Sequence, residues 1–389
     1  MRKITWILLA LLLMLLCSAA MAEEESDITY NEMYNTPTVA PTATPEGYTP
    51  TPEPPPATPV PTATPRYEAD GSVVITLTAV GDVTIGRNAQ HKGSSIFEKE
   101  LARQDDDINF IFRNVKDILA EDDVTIINFE GVLAEEYSIP SKKRENSYLF
   151  IGEPSYAEAL VNGSVEIATI ENNHIDYFGD AGRKDTQETL TANGITWADE
   201  YNMASYETQG VKIAVLSYKT FDYYDTLHNK VPREVAAAKE THDLVIVCYH
   251  WGDELDYYPN SRQQKLAHAT IDAGADLIIG HHSHRINPIE EYNGKYIVYS
   301  VGNFSFAGNN KPSDMSTFIF QTRFRMKDGE IMGNSFRIIP CRISSKTDYN
   351  DFAPTPYTEQ LRIDNVINTM VKNGKYIDNA VTEYPLDWE

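Results

Sequence analysis

The chain has 389 residues, with 57 acidic against 33 basic side chains and a formal net charge of −24 at pH 7. That balance excludes the electrostatic footprint of a nucleic-acid binder and suits a solvated extracytoplasmic protein. Three cysteines exclude a disulfide framework as the basis of the fold.

The chain opens with Arg2 and Lys3, an apolar stretch from Trp6 to Leu16, and Ala20-Met21-Ala22 before Glu23. This is the pattern of a secretory signal peptide. An uncleaved anchor is the alternative, because the apolar stretch approaches the ~20 residues that span a bilayer. Residues 1–22 are therefore expected to be a leader or membrane anchor. Residues 36–65 hold 11 of the 21 prolines, interleaved with threonine. Such a segment buries little apolar surface, so residues 23–72 are expected to form a disordered, extended Pro/Thr-rich spacer.

From residue 73 apolar runs alternate with helical patterns. Strands are expected at 73–80, 124–129, 165–170, 212–218, 243–250, 276–279 and 295–304. Helices are expected at 108–121, 154–162, 180–192 and 261–274. This alternation argues for βαβ units and a parallel sheet covered by helices, an α/β fold. After residue 315 two antiparallel strands joined by the turn KDGE follow, and then a helix over 356–374. The main domain is expected at 73–340, with a C-terminal extension at 341–389 packing on it. Cys248, inside LVIVCYH, reads as a small buried hydrophobe.

Polar residues of interest fall just after the strands. The first ends in Gly81-Asp82, the second in Glu130-Gly131, and the third runs into Glu171-Asn172-Asn173-His174. The next two end in His250-Trp251-Gly252 and in the run GHHSH, which holds His281, His282 and His284. Each motif alone is common. Their joint placement brings carboxylates, an amide and imidazoles to the rim where open α/β sheets bind ligands. Mixed oxygen and nitrogen donors suit a borderline divalent ion such as Mn, Zn or Fe. The number of donors favours two ions sharing a carboxylate over one. His174 could protonate a leaving group, with Asp176 orienting its ring. Tyr177, Phe178, Tyr223, Tyr224, Tyr257 and Tyr258 could wall a pocket or simply pack loops.

The stretches AVGDVTIGR, NFEGVL, ENNHIDYFGDAG, YHWGDE and GADLIIGHHSHRINPIEEYNGKYIVYSVGNFSF occur in this order across residues 73–310. In them the chain resembles the CapA/PgsA family of poly-γ-glutamate capsule synthesis proteins, within the calcineurin-like metallophosphoesterase superfamily. The resemblance implies a four-layer α/β/β/α sandwich around one or two divalent metal ions. It implies Asp82, Glu130, Asn173, His250, His282 and His284 as ligands, with Glu130 bridging and His174 as general acid. It places Thr84, Asn128, Glu254, His281 and Asn303 behind the ligands or along the pocket. The superfamily pattern Asp-x-His reads Asp82-Val83-Thr84 here, so one imidazole is missing.

The family further implies an extracytoplasmic part in poly-γ-glutamate synthesis or export, with a metal-dependent hydrolase-type site. Its partners would be that polymer or another anionic surface polymer, and membrane-bound ligase and exporter subunits; no nucleic acid is expected. A secreted metallophosphoesterase acting on phosphorylated surface polymers or nucleotides, and a non-catalytic scaffold, are the alternatives. An acidic protein needs a local basic patch to take a polyanion. Lys142, Lys143 and Arg144 are the clearest candidates.

Overall fold

The apolar runs become the strands of two sheets stacked face to face. In the computed structural model, residues 65–93, 95–135, 148–221 and 224–388 are described. The chain divides into Met1–Pro56 and Ala57–Glu389, and every described residue belongs to the second unit. The expected leader, most of the spacer, Tyr223 and the basic run Lys142, Lys143 and Arg144 lie outside the described residues.

The first sheet has eight strands. Val73–Thr84 is flanked by Val124–Phe129 in parallel and Ser316–Lys327 in antiparallel register. Ile167–Thr169 and Thr196–Ala198 extend the parallel side, and Glu330–Arg342 and Thr355–Pro356 the antiparallel side. The second sheet has six strands. Its centre is the parallel set Val211–Lys219, Leu244–His250, Leu277–His281 and Lys295–Val298.

Side-chain alternation along the strands separates three apolar layers. Ile75, Leu77, Ala79 and Ile126 face Ile213, Val215, Ile246 and Ile279 between the sheets. The outer face of the first sheet packs Ile127 and Phe129 under Phe97, Leu119, Leu160 and Leu190. The outer face of the second packs Val245, Val247 and Ile278 under Leu227, Val231, Leu266 and Ile271. The result is the expected α/β/β/α order. Each fully buried aliphatic side chain contributes ~1.5–3 kcal/mol to holding the layers together.

Two expected elements differ, and one helix is unexpected. The run 295–304 is not one strand. It is Lys295–Val298 in the second sheet and Asn303–Phe306 in the first, joined by a turn at Gly302, whose φ is +79°. The 108–121 segment breaks into a 3-10 turn Ile108–Ile111 and the short helix Lys116–Leu119. Its buried residues Phe110, Ile111, Phe112 and Val115 fall on more than one helical stripe, so no single straight helix buries them all. The helix Tyr224–Lys239 has Pro232 inside it and no sequence announcement.

Residues 65–72 bind back to the domain. Arg66 donates to Asp123 at 2.7 Å, and its backbone N–H donates to Gln209 at 2.8 Å. Asp70 pairs with Arg325 at 2.7 Å. At the other end, helix Gln360–Gly374 contributes Val366 and Met370 to the core between the sheets. Among the described residues no helix is long and apolar enough to cross a membrane.

Candidate metal centre

The carboxyl ends of both sheets meet at one buried rim, and two glycines make the close approach possible. Asp82 stands in register with Asn128 on one side and Asn303 on the other. A Cβ on Gly81, just before it, would lie 2.0 Å from the Gly302 carbonyl oxygen. Gly280 precedes His281 in the same way, with the Tyr299 carbonyl 2.0 Å from where a Cβ would be. After Gly280 the backbone turns sharply. His282 (φ +93°) and His284 (φ +53°) both occupy the left-handed region. For residues with a Cβ that costs on the order of 1–3 kcal/mol each and is found where function requires it.

Two groups of donors face each other across Glu130. In the first, the His284 Nδ1 lies 3.2 Å from Asp82 Oδ2, and Asp82, Glu130 and His284 each offer an atom within 4.8 Å of the others. His284 Nδ1 also meets Asn303 Oδ1 at 2.8 Å. An amide oxygen only accepts, so Nδ1 carries the hydrogen and Nε2 is left for an ion. In the second, His250 Nε2 lies 2.8 Å from Asn173 Oδ1, 3.1 Å from His282 Nδ1 and 3.7 Å from Glu130 Oε1.

The electrostatics of these groups suit a cation. Burial, followed by the neighbouring imidazole charges, holds His250 well below the usual histidine range and lowers His282 to about 4. Both are therefore neutral, the form that binds metal. Burial opposes charge on His284 too, but the Glu130 and Asp82 carboxylates outweigh it and raise the group to about 9. Asp82 is held well below the carboxylate range, as His281 and His284 overcome its desolvation.

Hydrogen bonding supplies the test of fit. Asp82 Oδ2, both Glu130 oxygens, Thr84 Oγ1 and both His281 nitrogens are buried without an aligned hydrogen-bond partner. Leaving buried polar atoms unpaired costs about 1–3 kcal/mol each, so a native fold rarely gathers them without purpose. Among them Asp82 and Glu130 converge with His284 within 4.8 Å, a mixed oxygen and nitrogen donor set that fits a divalent ion.

The remaining expected residues are placed as follows. His174 Nδ1 lies 2.9 Å from the Tyr148 carbonyl oxygen, and its Nε2 lies 3.2 Å from Glu130 Oε1. Asn128 donates to Asp82 Oδ1 at 2.8 Å and stands 3.3 Å from His250 Nδ1. Glu254 is exposed near the opening, and its charge helps raise Tyr177 and His284. Asp176 does not orient the His174 ring. Its oxygens pair with Arg183 and Lys219, which also hold the fully buried Glu171. Two nearby cations hold both Asp176 oxygens, and the Tyr148 carbonyl takes the orienting role.

Most of the expected aromatics pack loops. Tyr224 donates to the Arg262 carbonyl, Tyr257 to Asp314, and Tyr258 stacks on Tyr376. Tyr177 stands edge-on to His174 at 5.1 Å. Sequence reasoning passes over Phe221, whose ring lies 4.4 Å from His282, and Phe150, 4.8 Å from His174. Neither carries a spacing signal. Asn172 fixes the 171–176 loop: its Oδ1 accepts from the His174 and Ile175 backbone N–H groups.

A family model for the bacterial capsule synthesis protein PGA_cap matches residues 76–307, the stretch that contains all of these donors. The chain belongs to that family. Among curated relatives, this PGA_cap chain is 31% identical over 263 residues to the PGA biosynthesis protein CapA of Bacillus subtilis (strain 168). It is 30% identical over 256 residues to the capsule biosynthesis protein CapA of Bacillus anthracis. The matches cover 62% and 60% of this chain, and 66% and 60% of those proteins, slightly under two thirds of their length. A probable polyglutamine synthesis accessory protein of Mycobacterium tuberculosis is 28% identical over 46% of this chain and 54% of that one. Among solved structures, a hypothetical protein from Thermus thermophilus aligns with a TM-score of 0.40 at 13% identity. That alignment covers 68% of this chain and 99% of the other. The 5'-nucleotidase of Candida albicans aligns at 0.37 and 13%, covering 81% and 59%. Scores this low carry no weight about activity.

Proposed function

We propose that this PGA_cap family member is an extracytoplasmic component of poly-γ-glutamate capsule synthesis or export, working beside membrane-bound ligase and exporter subunits. Its rim holds one or two divalent ions and acts on an ester or amide bond of the polymer. The observation that carries the reading is Glu130, fully buried, with neither oxygen hydrogen-bonded, between two sets of nitrogen and oxygen donors. The leader pattern in residues 1–22 supports the location, and the two CapA relatives support the pathway.

When bound, a divalent pair brings the pKa of a coordinated water toward about 7 and offsets charge on a phosphoryl or carbonyl oxygen. Asp82, His284 and Glu130 form one side of the holding set, and Asn173, His250, His282 and Glu130 the other. His174 manages a proton. A carbonyl oxygen only accepts, so Nδ1 donates to Tyr148, and Nε2 faces the site. Nε2 stands 3.2 Å from Glu130 Oε1 and 3.3 Å from the Asn173 amide nitrogen, placed to exchange a proton with a leaving group. Phe150 and Tyr177 cover this ring and limit its contact with water.

The test is metal analysis of the purified chain and of His282→Ala, paired with polymer output in cells lacking their own CapA. The native chain should carry one or two equivalents, and His282→Ala should bind metal at least about tenfold more weakly and lose most polymer output. Metal-free native protein would defeat the reading. Full output from a metal-depleted His282→Ala would make the chain a scaffold. Turnover of aryl phosphate esters with Mn²⁺, without any effect on polymer, would make it a phosphoesterase instead.

A further inference from the structure

We propose that His281 is itself a metal ligand, supplying at the Asp82 position the imidazole that Thr84 does not. The inference rests on the metal-centre reading above and changes its composition: both positions then have a full set of donors.

Three observations point there. The first is register. His281 pairs with His250 across the parallel strands Leu277–His281 and Leu244–His250, so the two side chains leave the sheet on the same face. His250 already faces the centre, and His281 is carried there beside it. The second is the absence of partners. His281 is 2% exposed, and neither ring nitrogen has an aligned hydrogen bond. A neutral imidazole always has one N–H to place and one lone pair to fill. The third is distance. His281 Nδ1 lies 3.3 Å from Asp82 Oδ1, close but misaligned for a hydrogen bond, and that oxygen already accepts from Asn128 at 2.8 Å. Two donors bound to one ion at ~2.0–2.2 Å stand roughly 3 Å apart. The contact between His282 and His250 at 3.1 Å has the same span.

Thr84 strengthens the case. Its Oγ1 is buried and unpartnered two residues beyond Asp82, where the family resemblance calls for a ring. The first position offers Asp82, Glu130 and His284, which converge within 4.8 Å, and His281 joins them from beside Asp82. The second offers Asn173, His250, His282 and a share of Glu130. Each is a four-donor set of the kind a borderline divalent cation accepts. The chain is therefore a two-ion protein despite its broken first motif.

The experiment uses the full chain, stripped with chelator and titrated with Zn²⁺ by calorimetry, together with ¹⁵N-histidine NMR. The native chain should bind two Zn²⁺, and the His281 ring nitrogens, assigned by their loss in His281→Gln, should shift on saturation. His281→Ala and His281→Gln should each weaken one of the two Zn²⁺ sites at least about tenfold and leave the other unchanged. The glutamine variant separates the roles, because its amide N–H can still donate to Asp82. Adding Thr84→His to His281→Ala should restore the second equivalent. Unmoved His281 resonances in a chain saturated with Zn²⁺, or two sites of native affinity in His281→Gln, overturn the inference and leave the metal centre standing. A native chain that takes up no Zn²⁺ overturns both. The NMR measurement on the native chain stays decisive even where a variant folds poorly.

Discussion

Both ends of the central strands bury carboxylates, and among them Glu130 is treated differently from those at the opposite end. At the amino ends each acid has partners. Asp123, 5% exposed, accepts from Arg66, Gln209 and the Thr76 backbone. Asp276 is held by Lys239, Lys295 and the Val245 N–H. Asp122 and Glu166 accept from the side chain and backbone of Thr125. At the carboxyl ends Glu171 is held by Arg183 and Lys219, whereas Glu130 is fully buried with no aligned hydrogen bond to either oxygen. Burial alone therefore says little about what a carboxylate is for. The partner count separates an acid that stitches strands together from one that waits for a ligand.

Exchanging the two kinds of acid for neutral groups should make this contrast measurable. The largest effect belongs to Glu130→Gln. It should lower Zn²⁺ affinity at both positions about 100-fold or more, since ligands matter at least as much as the groups behind them. The same variant, stripped of metal, should be no less stable than the native apo chain, because no aligned hydrogen bond to Glu130 is lost. Urea denaturation of both apo proteins checks this, and a less stable variant would break the contrast.

Asp123→Ala should do the reverse. Losing three hydrogen bonds to a charged acceptor should cost roughly 2–4 kcal/mol. Metal content should stay at the native value, and denaturation with metal analysis on one sample reads both quantities.

A further effect is a slope with pH. Burial is the main cause that raises Asp122 to about 8 and Glu166 to about 7. In the unfolded chain they titrate near about 3.9 and 4.3. Between those values the folded chain binds more protons, so their contribution to stability is present at acid pH and is lost as pH rises toward about 8. The double variant Asp122→Asn with Glu166→Gln should flatten this fall. An unchanged slope would show that other groups set it.

Much of this contrast is readable in the sequence, and the unreadable part has physical causes. The five strand ends stand out because apolar runs stop at a glycine or a polar residue, and strand geometry then fixes where those residues point. The stacking of two sheets is not encoded that way, since one doubly wound sheet gives the same alternation of strands and helices. The run KYIVYSVGNF reads as one strand because nothing in its apolar pattern marks the change of sheet at Gly302. Asp176 lies two residues from His174 in the chain, yet Arg183 and Lys219 claim it in space. The group that sets the His174 ring is a backbone carbonyl, and any residue at 148 would provide one.

That change of sheet has a mechanical consequence. Asp82, Glu130 and Asn173 ride on one sheet and its loops, while His250, His282 and His284 ride on the other. An ion held by both sets is a rivet through the two layers. On the proposed reading it is gripped only once the sheets have docked, so metal uptake should report completed tertiary assembly. Pulling the sheets apart must first release it. Metal concentration should therefore set how much force or heat the domain withstands, as a ligand bound only by the native state does.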